Sequence, residues 1–210
     1  FGIICLAAAL VMAAAVGVFQ KYVRDKLWNN AVSEITEVTQ QMSNVLGVQL
    51  ESTYSILNNM RAVIKDADTP ERLEQRISGY NTVNSGIMLV LQDGTVYPKD
   101  TQIDRAAVAD MIAYSRNEGV INPHISSVSG VNVFDLYVKI QTADGMTGFL
   151  VKEYKVNDVM DYFTSPFYDN NGFSYIIEPE GEILMRTSNS DGNLTAKNFF
   201  DGIHRDTDGT

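Results

Sequence analysis

The chain has 210 residues, of which 45% are apolar, 10% aromatic and 20% charged; with 15 Gly, 5 Pro and one Cys it is no collagen, low-complexity segment or disulfide scaffold. A net charge of −10 and a pI near 4.6 argue against a nucleic-acid partner, because phosphate backbones select basic surfaces. Cys5 lies in an apolar run, and His124 and His204 have no second ligand at metal spacing, so neither a metal site nor a cofactor is expected.

Phe1–Phe19 carries no charge, and as a helix it would cover roughly 28 Å, close to the hydrocarbon thickness of a bilayer. Residues 1–20 are therefore expected to be a transmembrane helix. A signal peptide cleaved near Ala15 is the rival reading. Residues 21–66 read as a long stalk helix with a heptad: Trp28, Ile35, Met42, Gln49, Ile56 and Val63 at a, and Val32, Thr39, Leu46, Thr53 and Met60 at d. Such a stripe either packs on the chain's own domain or forms the seam of a parallel homodimer.

Thr69-Pro70 opens a helix ending near Gly79, with Thr69 as N-cap and Pro70 at the first helical position. Gly86–Gln92 reads as a buried strand that Asp93-Gly94 turns into Thr95–Tyr97. A capping-box-like pair, Thr101 and Asp104, starts a helix expected to reach Asn117 and stop at Gly119. Strands are expected over 120–128, 132–141 and 147–155, then a short helix over 158–163 capped by Asn157. The order predicts an α+β fold: helices on one antiparallel sheet of about five strands. This PAS-like module would span 67–165. The apolar–acidic–Gly–apolar grammar of 89–98 recurs in 176–186, so 173–187 reads as the hairpin opening a second, smaller module over 166–210, with a helix near Thr195–Asp201; extension of the first sheet is the alternative.

The grouping of a span, a long helix, an Asp-Gly hairpin and Gly172–Arg186 (GFSYIIEPEGEILMR) followed by Ser190–Asp201 resembles the Cache superfamily, the PAS-like extracytoplasmic sensor regions of bacterial receptors. Glu178 stands where the family pattern usually has Asp. Similar runs occur in the sensor regions of membrane diguanylate cyclases of the GGDEF type and of sensor histidine kinases. The resemblance implies a fragment of a longer receptor at the cell membrane, with the globular part outside the cytoplasm and an output domain beyond Thr210.

No nucleophile–base pair, phosphate-binding loop or metal motif is present, so no catalytic residue and no enzymatic activity are expected in this segment. Ligand binding is the better expectation. In 132–141, Phe134, Leu136, Val138 and Ile140 alternate with Asp135 and Tyr137, placing the latter pair on the opposite face, toward solvent or a pocket. The resemblance implies a pocket between sheet and helix in which aromatic residues, an Arg for carboxylate and an Asp for ammonium hold an amino acid or small carboxylate. Tyr97, Arg105, Tyr114, Asp135, Tyr137 and Tyr154 stand at comparable places, although Arg105 is followed by Ala106-Ala107 rather than by the family's aromatic residue. The expected function is signal input to a cytoplasmic output domain such as a diguanylate cyclase. The alternatives are a histidine-kinase or chemoreceptor sensor, an anchored structural protein, or a secreted enzyme.

Overall fold

Helix α1, Gly2–Ile64, opens the chain, and two compact units divide it at 1–48 and 49–210. The computed structural model describes residues 2–66, 69–81, 86–142, 145–163 and 174–187, with side chains for all of these except 2–11 and 81. Within the first unit the heptad stripe lies open: Trp28, Val32 and Ile35 are 70%, 45% and 45% exposed. Among the described residues no helix is long and apolar enough to cross a membrane. More than half of the expected span, residues 1–11, lies outside the described side chains.

In the second unit α1 is joined by α2 (Pro70–Asn81), β1 (Ile87–Leu91), β2 (Val96–Tyr97), α3 (Arg105–Tyr114), β3 (Glu118–Ile125), β4 (Asn132–Gln141), β5 (Thr147–Lys155) and α4 (Val156–Met160), which runs into a 3-10 turn. The strands form one antiparallel sheet in the order β2-β1-β5-β4-β3. A separate antiparallel pair, β6 (Tyr175–Ile177) and β7 (Ile183–Arg186), is tied back by the Ser174 hydroxyl, which donates to the Phe163 carbonyl at 2.9 Å. The helix expected near Thr195–Asp201 lies outside the described residues.

Both faces of the sheet are covered, so β4 is buried from Val133 to Val138 without interruption. One face carries Leu89, Leu136, Val138 and Leu150 and meets the helical layer, whose Leu57, Met60, Ile64, Leu73 and Ile77 are fully buried. Thr53 of α1 reaches that face through a 2.6 Å hydrogen bond to the Tyr154 hydroxyl. The other face, with Met88, Val90, Phe149, Val151, Tyr137 and Ile121, packs on Ile103, Ala107 and Met111 of the α3 region.

Local chemistry accounts for the boundaries. The Thr69 hydroxyl accepts from the Arg72 amide at 3.4 Å, as an N-cap should. Gly94 takes a φ of +88° in the β1–β2 turn, where the Asp93 carboxylate accepts from the Thr95 amide at 2.8 Å. Helix α3 ends earlier than its sequence suggests. Ser115 adopts the left-handed conformation (φ 49°) and its amide closes on the Ile112 carbonyl, so Gly119 is released into β3. Asn157, expected as a cap, instead lies inside α4, whose cap position is Lys155 with no side-chain hydrogen bond. The hydrophobic demand of Val156, Val159 and Met160, all buried, sets that helix's start.

Candidate functional site

Asp104 organises the α3 side of the sheet. As N-cap of α3 its Oδ1 accepts from the Ala106 amide at 2.9 Å, and its Oδ2 accepts from the Ser127 amide at 2.8 Å, pinning the β3–β4 loop to the helix start. These two backbone donors hold its carboxyl below the usual value; nearby His124 adds to the effect. Asp104 lies between Ile103 and Arg105, which with Val90, Asp93, Thr101 and Ser127 line an open cleft of about 880 Å³.

Behind Asp104 lies a buried polar cluster. Strand β3 pairs Ile121 with Asp135 but His124 with Val133, so one extra residue intervenes at Asn122-Pro123. A bulge tolerates a proline that has no amide to donate, and it resets the alternation of side chains. His124 thereby joins Ile121 and Asp135 on the α3 face. Its Nδ1 contacts the Asn122 carbonyl at 3.0 Å, and its Nε2 stands 3.9 Å from Asp135 Oδ2.

Asp135 is 1% exposed, and neither of its carboxylate oxygens has a hydrogen-bond partner among the described residues. Burial, reinforced by the charges of Glu153 and Asp104 and opposed by His124, raises its pKa to about 7. Glu153, its partner across β4–β5, is also raised by burial, with Asp104 adding and His124 and Lys155 opposing. With the Glu153 and Asp104 carboxylates beside it, such a buried carboxyl is costly unless a proton or a ligand neutralises it.

The six residues singled out by sequence divide between the two faces. Arg105 opens α3 in the cleft wall, and Asp135 and Tyr137 share the same sheet face, buried rather than open to solvent. Tyr137 meets Phe149 edge-on at 5.6 Å, and its hydroxyl is buried with no hydrogen-bond partner among the described residues. Tyr114 is 54% exposed at the far end of α3 and acts electrostatically on Tyr137. Tyr97 pairs with Leu89 and Tyr154 stacks on Phe134 at 5.4 Å, so both belong to the opposite, helix-covered face. Their positions separate them from the Asp135 cluster. Sequence reading missed His124, Asp104 and Glu153 as members of one group. The signal for His124 was the Pro123 before it, a mark of a bulge in an otherwise regular strand.

No protein-family model matches the chain, and no curated protein matches it. Among solved structures it is similar to the ligand-binding domain of the Pseudomonas aeruginosa amino-acid chemoreceptor PctC in complex with GABA, with a TM-score of 0.60 and 14% identity over 81% of this chain and 79% of that one. The ligand-binding domain of the Pseudomonas fluorescens chemoreceptor CtaA with L-serine superposes with a TM-score of 0.62 at 12% identity, over 80% and 76%. The sensory domain of a Campylobacter jejuni chemoreceptor with isoleucine bound gives 0.57 at 13%, over 78% and 73%. The chain shares its fold with these chemoreceptor ligand-binding domains. The α+β expectation, with a long N-terminal helix and an antiparallel PAS-like sheet, agrees with it.

Proposed function

We propose that this chain is the extracytoplasmic signal-input region of a bacterial membrane receptor, and that it binds a small amino acid or related carboxylate on the α3 face of its sheet. The observation that carries this reading is Asp135, a buried carboxylate with no hydrogen-bond partner among the described residues, on the same face of the sheet as the cleft whose wall contains Arg105. An ammonium group matches the unpaired carboxylate, and a guanidinium matches a ligand carboxylate through paired charge-assisted hydrogen bonds. The fold neighbours are chemoreceptor domains whose structures hold GABA, L-serine and isoleucine, which favours chemoreceptor output over a diguanylate cyclase or histidine kinase.

Residues 1–20 serve in this reading as the membrane anchor, and the open stripe of Trp28, Val32 and Ile35 as a parallel homodimer seam. Helix α1 passes from that stripe to Thr53 and Leu57, the covalent route by which a displacement in the sensor would reach the membrane.

The experiment is a thermal-shift screen of the chain with L-amino acids and small carboxylates. A ligand at a hundred times its Kd should add about 2.7 kcal/mol of stability. Arg105→Ala combined with Asp135→Asn should abolish that shift. A shift that survives the double substitution, or a screen in which nothing stabilises the protein, rejects the reading.

A further inference from the structure

The hydrogen bonding of His124 determines where a proton must sit. The Asn122 carbonyl can only accept, so Nδ1 of His124 carries the hydrogen that it donates there. In a neutral ring Nε2 then presents a lone pair, and 3.9 Å away Asp135 Oδ2 presents another, both buried and neither with a hydrogen-bond partner among the described residues. Two facing lone pairs on buried atoms repel, and one added proton removes the conflict, whether it resides on the imidazole or on the carboxyl. Among the described residues Asp135 is faced by the Asp104 carboxylate at the α3 cap, by Glu153 on β5 and by His124 on β3, with Lys155 beyond Glu153.

We propose that His124 and Asp135 together hold one proton when no ligand is bound, and that a cationic ligand group arriving at Asp135 displaces it, making recognition proton-linked. The exchange balances. The protonated pair is neutral, and a pair without its proton plus one ammonium group restores the same charge, the proton leaving to solvent. Ligand capture then costs no net change in buried charge, which is the reason to place a titratable ring beside the carboxylate. The ammonium–Asp135 contact rests on the reading above, whereas the shared proton does not.

The test uses the 210-residue chain with methylammonium as the probe, the smallest cation bearing the relevant head group. At about pH 6 its binding should release about one proton per site, read by potentiometry in unbuffered solution, and at about pH 8.5 almost none. Below the pair's titration the apparent affinity should tighten about tenfold per pH unit. Asp135→Asn should abolish both binding and release. His124→Gln supplies an N–H donor that does not titrate, so it should keep binding while the pH range over which the proton is released shifts. With His204→Ala leaving one imidazole in the chain, the ring nitrogens of His124 give a single resolvable NMR titration, which Asp135→Asn should displace. The proposal is overturned if methylammonium binds at about pH 6 without proton release or fails to bind at either pH. It is equally overturned if the His124 titration is indifferent to Asp135→Asn. Failure of the amino-acid screen with proton release intact would reject the ligand assignment alone.

Discussion

A β-carbon added at Gly119 would stand 2.7 Å from the Tyr137 hydroxyl and about as close to its ring carbons. Tyr137 is fully buried, so its ring has nowhere to swing, and the glycine is required by this close approach rather than by a turn. Gly119→Ala should therefore destabilise the protein by about 1–3 kcal/mol in urea unfolding, the range typical of overpacked cores. Tyr137→Phe in the same chain should return part of that loss, because it removes the nearest atom and a buried hydroxyl that has no partner among the described residues. The sequence pointed instead to Gly119 as a helix stop, a reasonable use of glycine that the left-handed Ser115 had already made unnecessary. A lone serine in that conformation has no sequence signature strong enough to compete with a glycine four residues on.

At the scale of elements, β4 and β5 connect the two layers. Asp135 and Glu153 face α3, while their chain neighbours Phe134 and Tyr154 stack on the opposite side, where Tyr154 bonds to Thr53 of α1. Two contacts of this layer should respond differently to substitution. Tyr154→Phe removes one hydrogen bond but leaves the Thr53 hydroxyl donating to the Gln49 carbonyl at 3.0 Å, so a loss of about 1 kcal/mol is expected. Leu57→Ala empties a fully buried site and should cost about 2–5 kcal/mol. Equal losses in thermal unfolding would mean that the Tyr154 hydroxyl is worth far more than one hydrogen bond, since phenylalanine keeps the ring that stacks on Phe134. The elements themselves were largely readable. The extents of β4 and β5 agree with the alternation of apolar residues and the turn signals beside them, and Thr69-Pro70 opens α2 as its composition predicts. Periodicity could not say that β4 would be covered on both faces, because a strand with Asp135 and Tyr137 on one side reads as half-buried until another element arrives to cover it.

For the molecule as a whole, the buried acid makes stability depend on pH. Asp135 has an ordinary value of 3.8 in the unfolded chain and about 7 in the fold, so the folded state retains a proton that the unfolded state releases. The contribution of Asp135 to stability is therefore fully present below the lower value and is lost as pH rises through the upper one, a fall of a few kcal/mol in all. Asp135→Asn should lack that fall. Denaturant unfolding measured across this interval checks the sign, and a wild type whose stability rises over it would contradict the buried carboxyl. Composition, the charge-free first nineteen residues, the heptad and the order of helices and strands were properties of the sequence, because each depends on residues near one another along the chain. What only the tertiary structure decided was the meeting of Asp104, His124, Asp135 and Glu153. These residues span 104–153 on one helix cap and three strands, and the bulge at Asn122-Pro123 turns His124 to the face it shares with Asp135. Local propensity fixes which way a chain runs; the register between strands, summed over many weak contacts, fixes which side chains come to face one another.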